Sequence, residues 1–120
     1  MLIPLSVLPN PYEINYWGAY QQLSKDLVSR CLEKGLQKTL PLFADEDHTL
    51  ELLHAMRVAY FVSHGWLEPI EVRVQYTPEG EPYAWCQDGV HRLSAALYLG
   101  HTDILAIYDE SVESFIKGLT

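Results

Sequence analysis

"WCQDGVHRLSAALYLGHTDILAIYD", residues 85–109, carries the strongest structural signals in this chain. The stretch begins with residues typical of a strand, turns at Gly89, and continues with an apolar segment that contains two alanines. A second glycine, Gly100, precedes the apolar run "DILAIYD". Because glycine adopts the backbone conformations that tight turns and helix ends require, this order predicts a strand end, a helix from about His91 to Leu99, and a further strand.

The segments before and after this stretch complete a mixed pattern of helices and strands. Residues 69–76 alternate between apolar and polar side chains, and "TPEGE" separates them from residues 82–86, which predicts a β-hairpin. Apolar spacing and helix signals predict the other elements: a strand or extended arm at 2–8, helices at 16–34 and 48–64 with Asp47 capping the second, a strand at 103–109 and a last helix at 110–119. We therefore predict a single α+β domain over residues 1–120, with a small mixed β-sheet and packed helices.

Charge and composition narrow the classes of function. The 120 residues carry a formal net charge of −8, which disfavours DNA binding over a broad surface because such binding needs a basic face. Two cysteines, without a Cys-x-x-Cys or His-x-x-x-His pair, predict neither a disulfide framework nor a zinc site. The sequence has no basic leader and no apolar run of about 20 residues, which predicts a cytoplasmic protein without a membrane partner.

The turn "DGVHR", residues 88–92, has the chemistry of an anion site. Glycine at a strand-to-helix turn lets a ligand approach the backbone, and the first helical turn exposes N–H groups at the positive end of the helix dipole. Arg92 adds a planar guanidinium fork and His91 adds an imidazole donor. The sequence therefore predicts a phosphate-bearing ligand here. An ordinary turn with a surface arginine is the alternative interpretation.

Three stretches resemble the ParB/sulfiredoxin-like superfamily. "DGVHRLSAALYLGHTDILAIY" (88–108) is similar to the Gly-x-His-Arg turn, alanine-rich helix, glycine and last strand of that family. "GWLEPIEVRV" (65–74) and "IPLSVLPNPYEINY" (3–16) resemble its Pro-Ile-x-Val strand and the amino-terminal segment of ParB-like domains. The resemblance implies a ParB-like, sulfiredoxin-like fold that binds a nucleotide such as ATP, CTP or ADP, with Mg²⁺. The same turn is found in free-serine kinases and in phage or plasmid proteins.

The resemblance also implies roles for individual residues. Gly89, His91 and Arg92 would hold phosphates, and Ser94 would add a hydroxyl donor. Asp88 would orient the turn or assist a Mg²⁺ ion. The candidates for catalysis are carboxylates and one imidazole, namely Glu13, Glu68, Asp88 and His91. Of these, Glu68 lies in the loop that leads into a strand, where it could serve as a base or as a Mg²⁺ partner.

The chain also departs from the family pattern in ways that exclude some of its activities. Sulfiredoxins carry a reactive cysteine directly before the His-Arg pair, whereas this chain has Val90 there and its Cys86 is displaced by four residues. Sulfinic-acid reduction is therefore not expected. ParB partition proteins use an arginine pair and add a helix-turn-helix domain, so we do not expect sequence-specific DNA clamping.

Three interpretations of the function remain open. The first is nucleotide binding through the phosphates, with phosphoryl transfer or nucleoside triphosphate hydrolysis as the activity. The second is a non-catalytic acidic accessory protein, of phage or plasmid type, that contacts a protein partner through Tyr12, Tyr16 and Trp17. Those aromatic residues could instead belong to the core or stack on a base. The third is a ParB-like nuclease, which is weaker because it needs an acidic metal cluster and a path for DNA.

Overall fold

In the computed structural model, the described residues are 2–14, 16, 23–36 and 50–118. Together they form a 3₁₀ turn (Leu5–Val7), four strands and four helices: β1 (Leu2–Pro4), α1 (Lys25–Glu33), α2 (Leu50–His64), β2 (Ile70–Tyr76), β3 (Pro82–Asp88), α3 (Val90–Tyr98), β4 (Asp103–Ile107) and α4 (Glu110–Gly118). These elements confirm the predicted α+β class with a small mixed sheet and packed helices. Within the same ranges, no helix combines the length and the apolar character that crossing a membrane requires.

The four strands hydrogen-bond in the order β1-β4-β2-β3. β2 and β3 form the predicted antiparallel hairpin, in which Val72 lies opposite Cys86. β4 pairs with β2 in parallel, with Ile70 opposite Ala106, and β1 pairs with β4 in antiparallel direction. A parallel pair needs a crossover connection, and β3 and α3 lie between β2 and β4 in the chain. The turn at Gly89 therefore leads from the edge strand β3 into the helix of the crossover.

Helix α3 packs against the sheet on one side and against α1 and α2 on another. Leu93 and Ala96 of α3 belong to a buried cluster with inward-facing strand residues such as Ile70 and Ala106. Ala95 belongs to a second buried cluster, with residues of α1 and α2. Small side chains at these positions let the neighbouring elements approach closely, and the buried apolar area stabilises the packing. Packing of α3 against both the sheet and the helices α1 and α2 thus fixes the position of the turn that precedes it.

The structure corrects the predicted boundary of the first helix. The sequence predicts one helix over residues 16–34, but Ser24 has extended backbone angles of φ −131° and ψ 146°. Its hydroxyl accepts a hydrogen bond from the N–H of Leu27 at 3.1 Å, so Ser24 is the N-cap and α1 begins after it. The apolar spacing runs through Leu23 without interruption, and such spacing does not reveal a cap inside the pattern.

Other boundaries differ less from their predictions. β1 ends at Pro4 because a 3₁₀ turn follows, so the predicted strand over residues 2–8 is too long. α3 begins one residue before the predicted His91, directly after Gly89. The predicted glycine stops after α1, α2 and α3 are confirmed. The predicted cap of α2, Asp47, lies outside the described residues.

Candidate functional site

The turn between β3 and α3 is built around Gly89. This glycine has φ 92° and ψ 27°, in the left-handed region, and it is the N-cap of α3. A Cβ atom at this position would lie 2.7 Å from Cγ2 of Ile70 and 2.8 Å from Nη2 of Arg92. Both the conformation and the lack of space therefore require glycine. Since glycine has no capping oxygen and the first turn of α3 has no acidic residue, nothing within the helix neutralises the positive end of its dipole.

The guanidinium of Arg92 points inward from α3. Its Nη1 donates hydrogen bonds of 3.0 Å to the backbone carbonyls of both Glu68 and Pro69. These carbonyls lie just before β2, so Arg92 attaches α3 to the segment that leads into the sheet. The side chain is only 11% exposed. Part of the guanidinium fork that the sequence assigns to phosphate is thus used to hold the fold.

Two carboxylates flank the same guanidinium. Oδ2 of Asp88 lies 3.5 Å from Nη2 of Arg92, and Oε2 of Glu68 lies 3.8 Å from Nη1. The side chain of Asp88 is 74% exposed and that of Glu68 is 89% exposed. Exposed ion pairs at such distances contribute little to stability, so both carboxylates can turn to another cation. The structure therefore brings Asp88, Glu68 and Arg92 together beside Gly89.

An open cleft of about 830 Å³ extends from these residues along the end of α2. The walls are mainly aromatic, and the lining residues are Tyr60, Phe61, His64, Gly65, Trp66, Leu67, Glu68 and Arg92. We call this feature the aromatic cleft. Within it, the ring of Tyr60 stacks on His64 with a centroid distance of 4.3 Å and meets Phe61 edge to face. Its volume lies within the range of about 300–1,000 Å³ that is usual for small-molecule sites.

The side chain of His91 contacts α2. Its Nε2 lies 2.8 Å from Nδ1 of His54, within hydrogen-bond distance. The two rings are nearly parallel, with centroids 5.0 Å apart. His91 does not line the aromatic cleft. The imidazole that the sequence assigns to phosphate binding therefore uses one nitrogen to connect the first turn of α3 to α2.

The surroundings of the two imidazoles favour their neutral forms. Burial, together with the neighbouring His54, Arg57 and Arg92, lowers the pKa of His91 to about 3. Burial also lowers the pKa of His54 to about 4, with a contribution from Arg57 that Glu51 partly opposes. Both rings are therefore neutral at pH 7. A neutral imidazole donates one hydrogen bond and accepts one, which suits a pair of this kind.

Ser94 and Cys86 face the interior of the protein. Ser94 is fully buried, and its Oγ donates a 2.7 Å hydrogen bond to the backbone carbonyl of Val90 in the preceding turn of α3. Its hydroxyl is therefore directed into the helix and away from a ligand at the turn. Cys86 donates through Sγ to the carbonyl of Asp88 at 3.3 Å, and burial raises the pKa of its thiol to about 12. A thiol in this state is not a nucleophile at neutral pH.

Glu13 lies at a second cleft of about 600 Å³, whose lining includes His101 and Thr102. Those residues follow α3, whereas Arg92 lies in its first turn. A helix of nine residues is about 13 Å long, which separates the two regions. The second cleft and the aromatic cleft share no lining residue. Of the catalytic candidates, Glu13 is thus the one that the fold does not bring to the Gly89 turn.

Tyr12 and Tyr16 take part in contacts within the protein. The hydroxyl of Tyr12 donates to the carbonyl of Ser94 at 2.8 Å, and the hydroxyl of Tyr16 donates to the carbonyl of Pro9 at 2.8 Å. The ring of Tyr16 also packs on Trp85 with a centroid distance of 4.2 Å. Burial raises the pKa of both tyrosines. Trp17, which the sequence groups with them, lies outside the described residues.

Two residues of the site were not predicted from the sequence, His54 and Arg57. Neither residue belongs to a motif that the sequence displays. The available signal was weak, because apolar residues occur on most faces of α2. Two basic side chains three residues apart in such a helix lie on the same side, and this pattern could have pointed to a shared partner.

The described part of the chain contains no group of three or more His, Cys, Asp or Glu side chains that could hold a metal ion. Asp88 and Glu68 offer two carboxylates beside Arg92. Mg²⁺ commonly binds through one or two carboxylates together with water and substrate phosphates. The donor set therefore fits a Mg²⁺ ion that arrives with a phosphate ligand, and it does not form a complete protein cage.

Comparisons with known proteins identified no family or relative for this chain. A scan against protein-family models, a search among curated proteins and a search among solved structures each found no match. The resemblance of residues 88–108 to the ParB/sulfiredoxin-like superfamily therefore stays a hypothesis based on sequence motifs. The function has to be inferred from the geometry of the Gly89 turn and the aromatic cleft.

Proposed function

We propose that this chain binds a nucleotide, with the base in the aromatic cleft and the phosphates at Arg92 beside the first turn of α3. The observation that carries this proposal is the continuity between Tyr60, Phe61 and Trp66 and the guanidinium of Arg92 in one cleft. Aromatic side chains stack on bases, and a guanidinium hydrogen-bonds to phosphate oxygens. The N–H groups at the start of α3 add positive potential beside the phosphates. This arrangement accords with the proposed ParB-like, sulfiredoxin-like relationship.

The two carboxylates at the turn favour a Mg²⁺ complex of the nucleotide over the free nucleotide. Asp88 and Glu68 flank the guanidinium of Arg92 and would repel a bare phosphate group there. A Mg²⁺ ion brought by ATP, CTP or ADP would give both carboxylates a cation to bind. When bound, the ion neutralises charge on the phosphates, which is its usual contribution to phosphoryl transfer.

If the protein catalyses phosphoryl transfer or nucleotide hydrolysis, Glu68 is the candidate for the base, and Asp88 alone would then be the carboxylate that binds Mg²⁺. It is an exposed carboxylate at the phosphate end of the aromatic cleft, where a water or hydroxyl acceptor would approach. Glu13 is less suitable because it lines the second cleft. His91 is less suitable because its Nε2 is hydrogen-bonded to His54.

One observation favours the second candidate, a non-catalytic protein that contacts a protein partner in the cytoplasm. Leu67, at the rim of the aromatic cleft, is 96% exposed. An exposed apolar side chain beside aromatic walls could also receive a side chain of a partner. The internal contacts of Tyr12 and Tyr16 give less support to a partner surface at those residues. The nuclease is the weaker alternative, because a metal-dependent nuclease of this size would need a fuller set of acidic ligands.

Calorimetric titration with ATP, ADP and CTP, each with and without Mg²⁺, tests nucleotide binding. We expect micromolar affinity that requires Mg²⁺. Replacing Tyr60 by leucine removes a ring but keeps apolar bulk, and should weaken binding by about tenfold if the base stacks there. The combined change Glu68→Gln and Asp88→Asn should make Mg²⁺ unnecessary.

Arg30→Gln is the matched control, because Arg30 is an exposed arginine of α1 that does not line the aromatic cleft. We expect this variant to bind like the wild type. Absence of binding by the folded wild-type protein would refute nucleotide binding as the function. A pull-down with the wild type and a Leu67→Ser variant would then test the partner surface, since a partner that uses the rim should be lost with Leu67.

A further inference from the structure

The imidazole of His64, the last residue of α2, is held in one orientation. Its Nδ1 lies 3.0 Å from the backbone carbonyl oxygen of Tyr60, one helical turn earlier. Its ring is nearly parallel to the ring of the same Tyr60, with an interplanar angle of 19° and centroids 4.3 Å apart. A hydrogen bond to the backbone and a stacking contact with the side chain of one residue therefore both restrict the rotation of this imidazole.

The contact with the carbonyl also determines which nitrogen of His64 carries the proton. A carbonyl oxygen only accepts hydrogen bonds, so Nδ1 is the N–H group and donates to it. In a neutral imidazole the other nitrogen then has the lone pair. Nε2 of His64 is therefore a hydrogen-bond acceptor, and within the described ranges no residue donates to it.

This acceptor belongs to the wall of the aromatic cleft. His64 lines the cleft and is exposed. The lone pair of Nε2 lies in the plane of the imidazole, and this plane is nearly parallel to the ring of Tyr60. The lone pair therefore points past the stacked rings and not across them. A ligand group that meets it lies beside the two rings, where the edge of a base can reach it.

The end of α2 adds further acceptors next to His64. The N–H of Gly65 donates to the carbonyl of Phe61 at 2.8 Å, whereas the carbonyls of residues 62–64 receive no hydrogen bond from the part of the chain that the structure describes. These groups form the negative end of the α2 dipole. Beside Arg92, by contrast, α3 presents the positive end of its dipole. The aromatic cleft thus has donors near Arg92 and acceptors near His64.

We propose that His64 is a specificity-determining residue, and that its Nε2 accepts a hydrogen bond from an amino group at position 6 of a purine base or position 4 of a pyrimidine base. This inference rests on the proposed function. Adenine and cytosine carry an amino group there, whereas guanine, hypoxanthine and uracil carry an oxo group. An oxo group would bring a second acceptor against the lone pair of Nε2. The expected ligand class is therefore a nucleotide of adenine or cytosine.

Matched pairs of nucleotides test the selection in the wild-type protein. ATP and ITP differ by an amino or oxo group at position 6, and CTP and UTP differ in the same way at position 4. Each nucleotide is titrated calorimetrically with Mg²⁺ at pH 8, above the range in which exposed histidines take up a proton. We expect the amino member of each pair that binds to have at least about tenfold higher affinity, because in the oxo member two acceptors replace one hydrogen bond.

Two variants assign the selection to His64. His64→Phe removes Nε2 but keeps a ring that can stack on Tyr60, and we expect the two members of a pair to bind this variant within about twofold of each other. Ser63→Ala is the control, because it removes a polar group from the same turn of α2 but lies outside the lining of the aromatic cleft. It should keep the preference of the wild type. Both variants are used as full chains and checked for folding by circular dichroism.

The possible failures are distinguishable. If the wild type binds ATP and ITP equally, and CTP and UTP equally, or prefers the oxo members, the inference about His64 is overturned and nucleotide binding stands. A preference for the amino members that persists undiminished in His64→Phe would also overturn it, because another group would then select the base. If none of the four nucleotides binds the folded wild type, the proposed function and the inference fail together. The comparison of nucleotides in the wild type stands even if His64→Phe does not fold.

Discussion

The guanidinium of Arg92 packs against Gly89, so closely that a Cβ atom at the glycine would lie 2.8 Å from Nη2 and 3.1 Å from Cζ. The two residues depend on each other. Gly89 leaves the space through which Arg92 reaches the carbonyls of Glu68 and Pro69, and Arg92 fixes the turn in which Gly89 has a positive φ. The proposed phosphate site is built onto a structural contact that the fold needs in any case.

Replacing Gly89 by alanine should destabilise the protein more than a left-handed backbone angle alone explains. Gly100→Ala is the matched control, because Gly100 has φ 80° and open space around its Cα. We expect the free energy of unfolding to fall by about 1–2 kcal/mol for Gly100→Ala, which is the cost of a left-handed non-glycine residue. The loss for Gly89→Ala should exceed it by at least about 1 kcal/mol because of overpacking. Urea denaturation measures both, and equal losses would contradict the steric argument.

Arg92→Met should lower the free energy of unfolding by about 2 kcal/mol or more. Methionine keeps an apolar stem but removes the donor from the two partly buried carbonyls before β2, and a group left unsatisfied costs about 1–3 kcal/mol when water does not reach it. Arg73→Met is the comparison, since Arg73 is an exposed residue whose ion pairs with Glu71 and Asp109 should contribute less than about 1 kcal/mol. Similar losses in the two variants would show that Arg92 has no special structural role.

The free energy of unfolding should decrease as the pH is lowered, over a pH range set by His54 and His91. The pKa of each folded imidazole, about 4 and about 3, lies below the value of about 6.5 for an exposed histidine. As the pH drops below about 6.5, the unfolded chain therefore binds more protons than the folded chain and is favoured. The contribution of the pair is complete above pH 6.5 and is lost progressively toward pH 4 and then pH 3.

Thermal melts at pH 7.5 and pH 5 check this expectation. The wild-type melting temperature should drop by several degrees over that interval, on the scale of about 2–8 °C per kcal/mol for domains of this size. A variant with both His54→Asn and His91→Gln should show a flatter dependence, whereas His101→Asn should behave like the wild type. A wild-type melting temperature that is constant between these pH values would rule out two buried neutral imidazoles.

Both cysteines should resist modification in the folded protein. Cys31 and Cys86 are buried, and burial raises the pKa of each thiol. Because the thiolate is the reactive form, iodoacetamide should label both residues orders of magnitude more slowly in the native protein at pH 8 than in urea. Mass spectrometry after timed quenching measures the two rates. Rapid native labelling of Cys86 would reopen the sulfiredoxin-like thiol chemistry that its environment disfavours.

Local signals were enough to predict the elements around the Gly89 turn. The alternation in residues 69–76, the turn residues after them and the apolar segment between Gly89 and Gly100 correspond to β2, the hairpin turn and α3. These features depend on backbone preferences over a few residues, which a sequence displays directly. The α+β class followed from their order, because a hairpin combined with helix-linked strands favours a mixed sheet with packed helices.

These local signals did not predict the contact partners of individual side chains. Arg92 donates to carbonyls more than 20 positions earlier in the chain, and His91 contacts a residue 37 positions away. Apolar spacing identifies which face of a helix is buried, but it does not say which polar atom lies opposite. Ser94 shows the same limit within a single helix. Its hydroxyl, which the resemblance assigns to a phosphate, donates instead to the carbonyl of Val90.

The pairing of β1 with β4 has a consequence for folding during synthesis on the ribosome. Leu2 lies opposite Leu105, so β1 stays without its partner until about a hundred further residues have been synthesised. At about 5–20 residues per second, this delay lasts on the order of 5–20 seconds. The hairpin and α3 can form during that time, whereas β1 cannot pair with β4 until β4 has been synthesised. Translation speed and chaperone access in this interval, rather than the strength of the finished sheet, should then govern the yield of native protein.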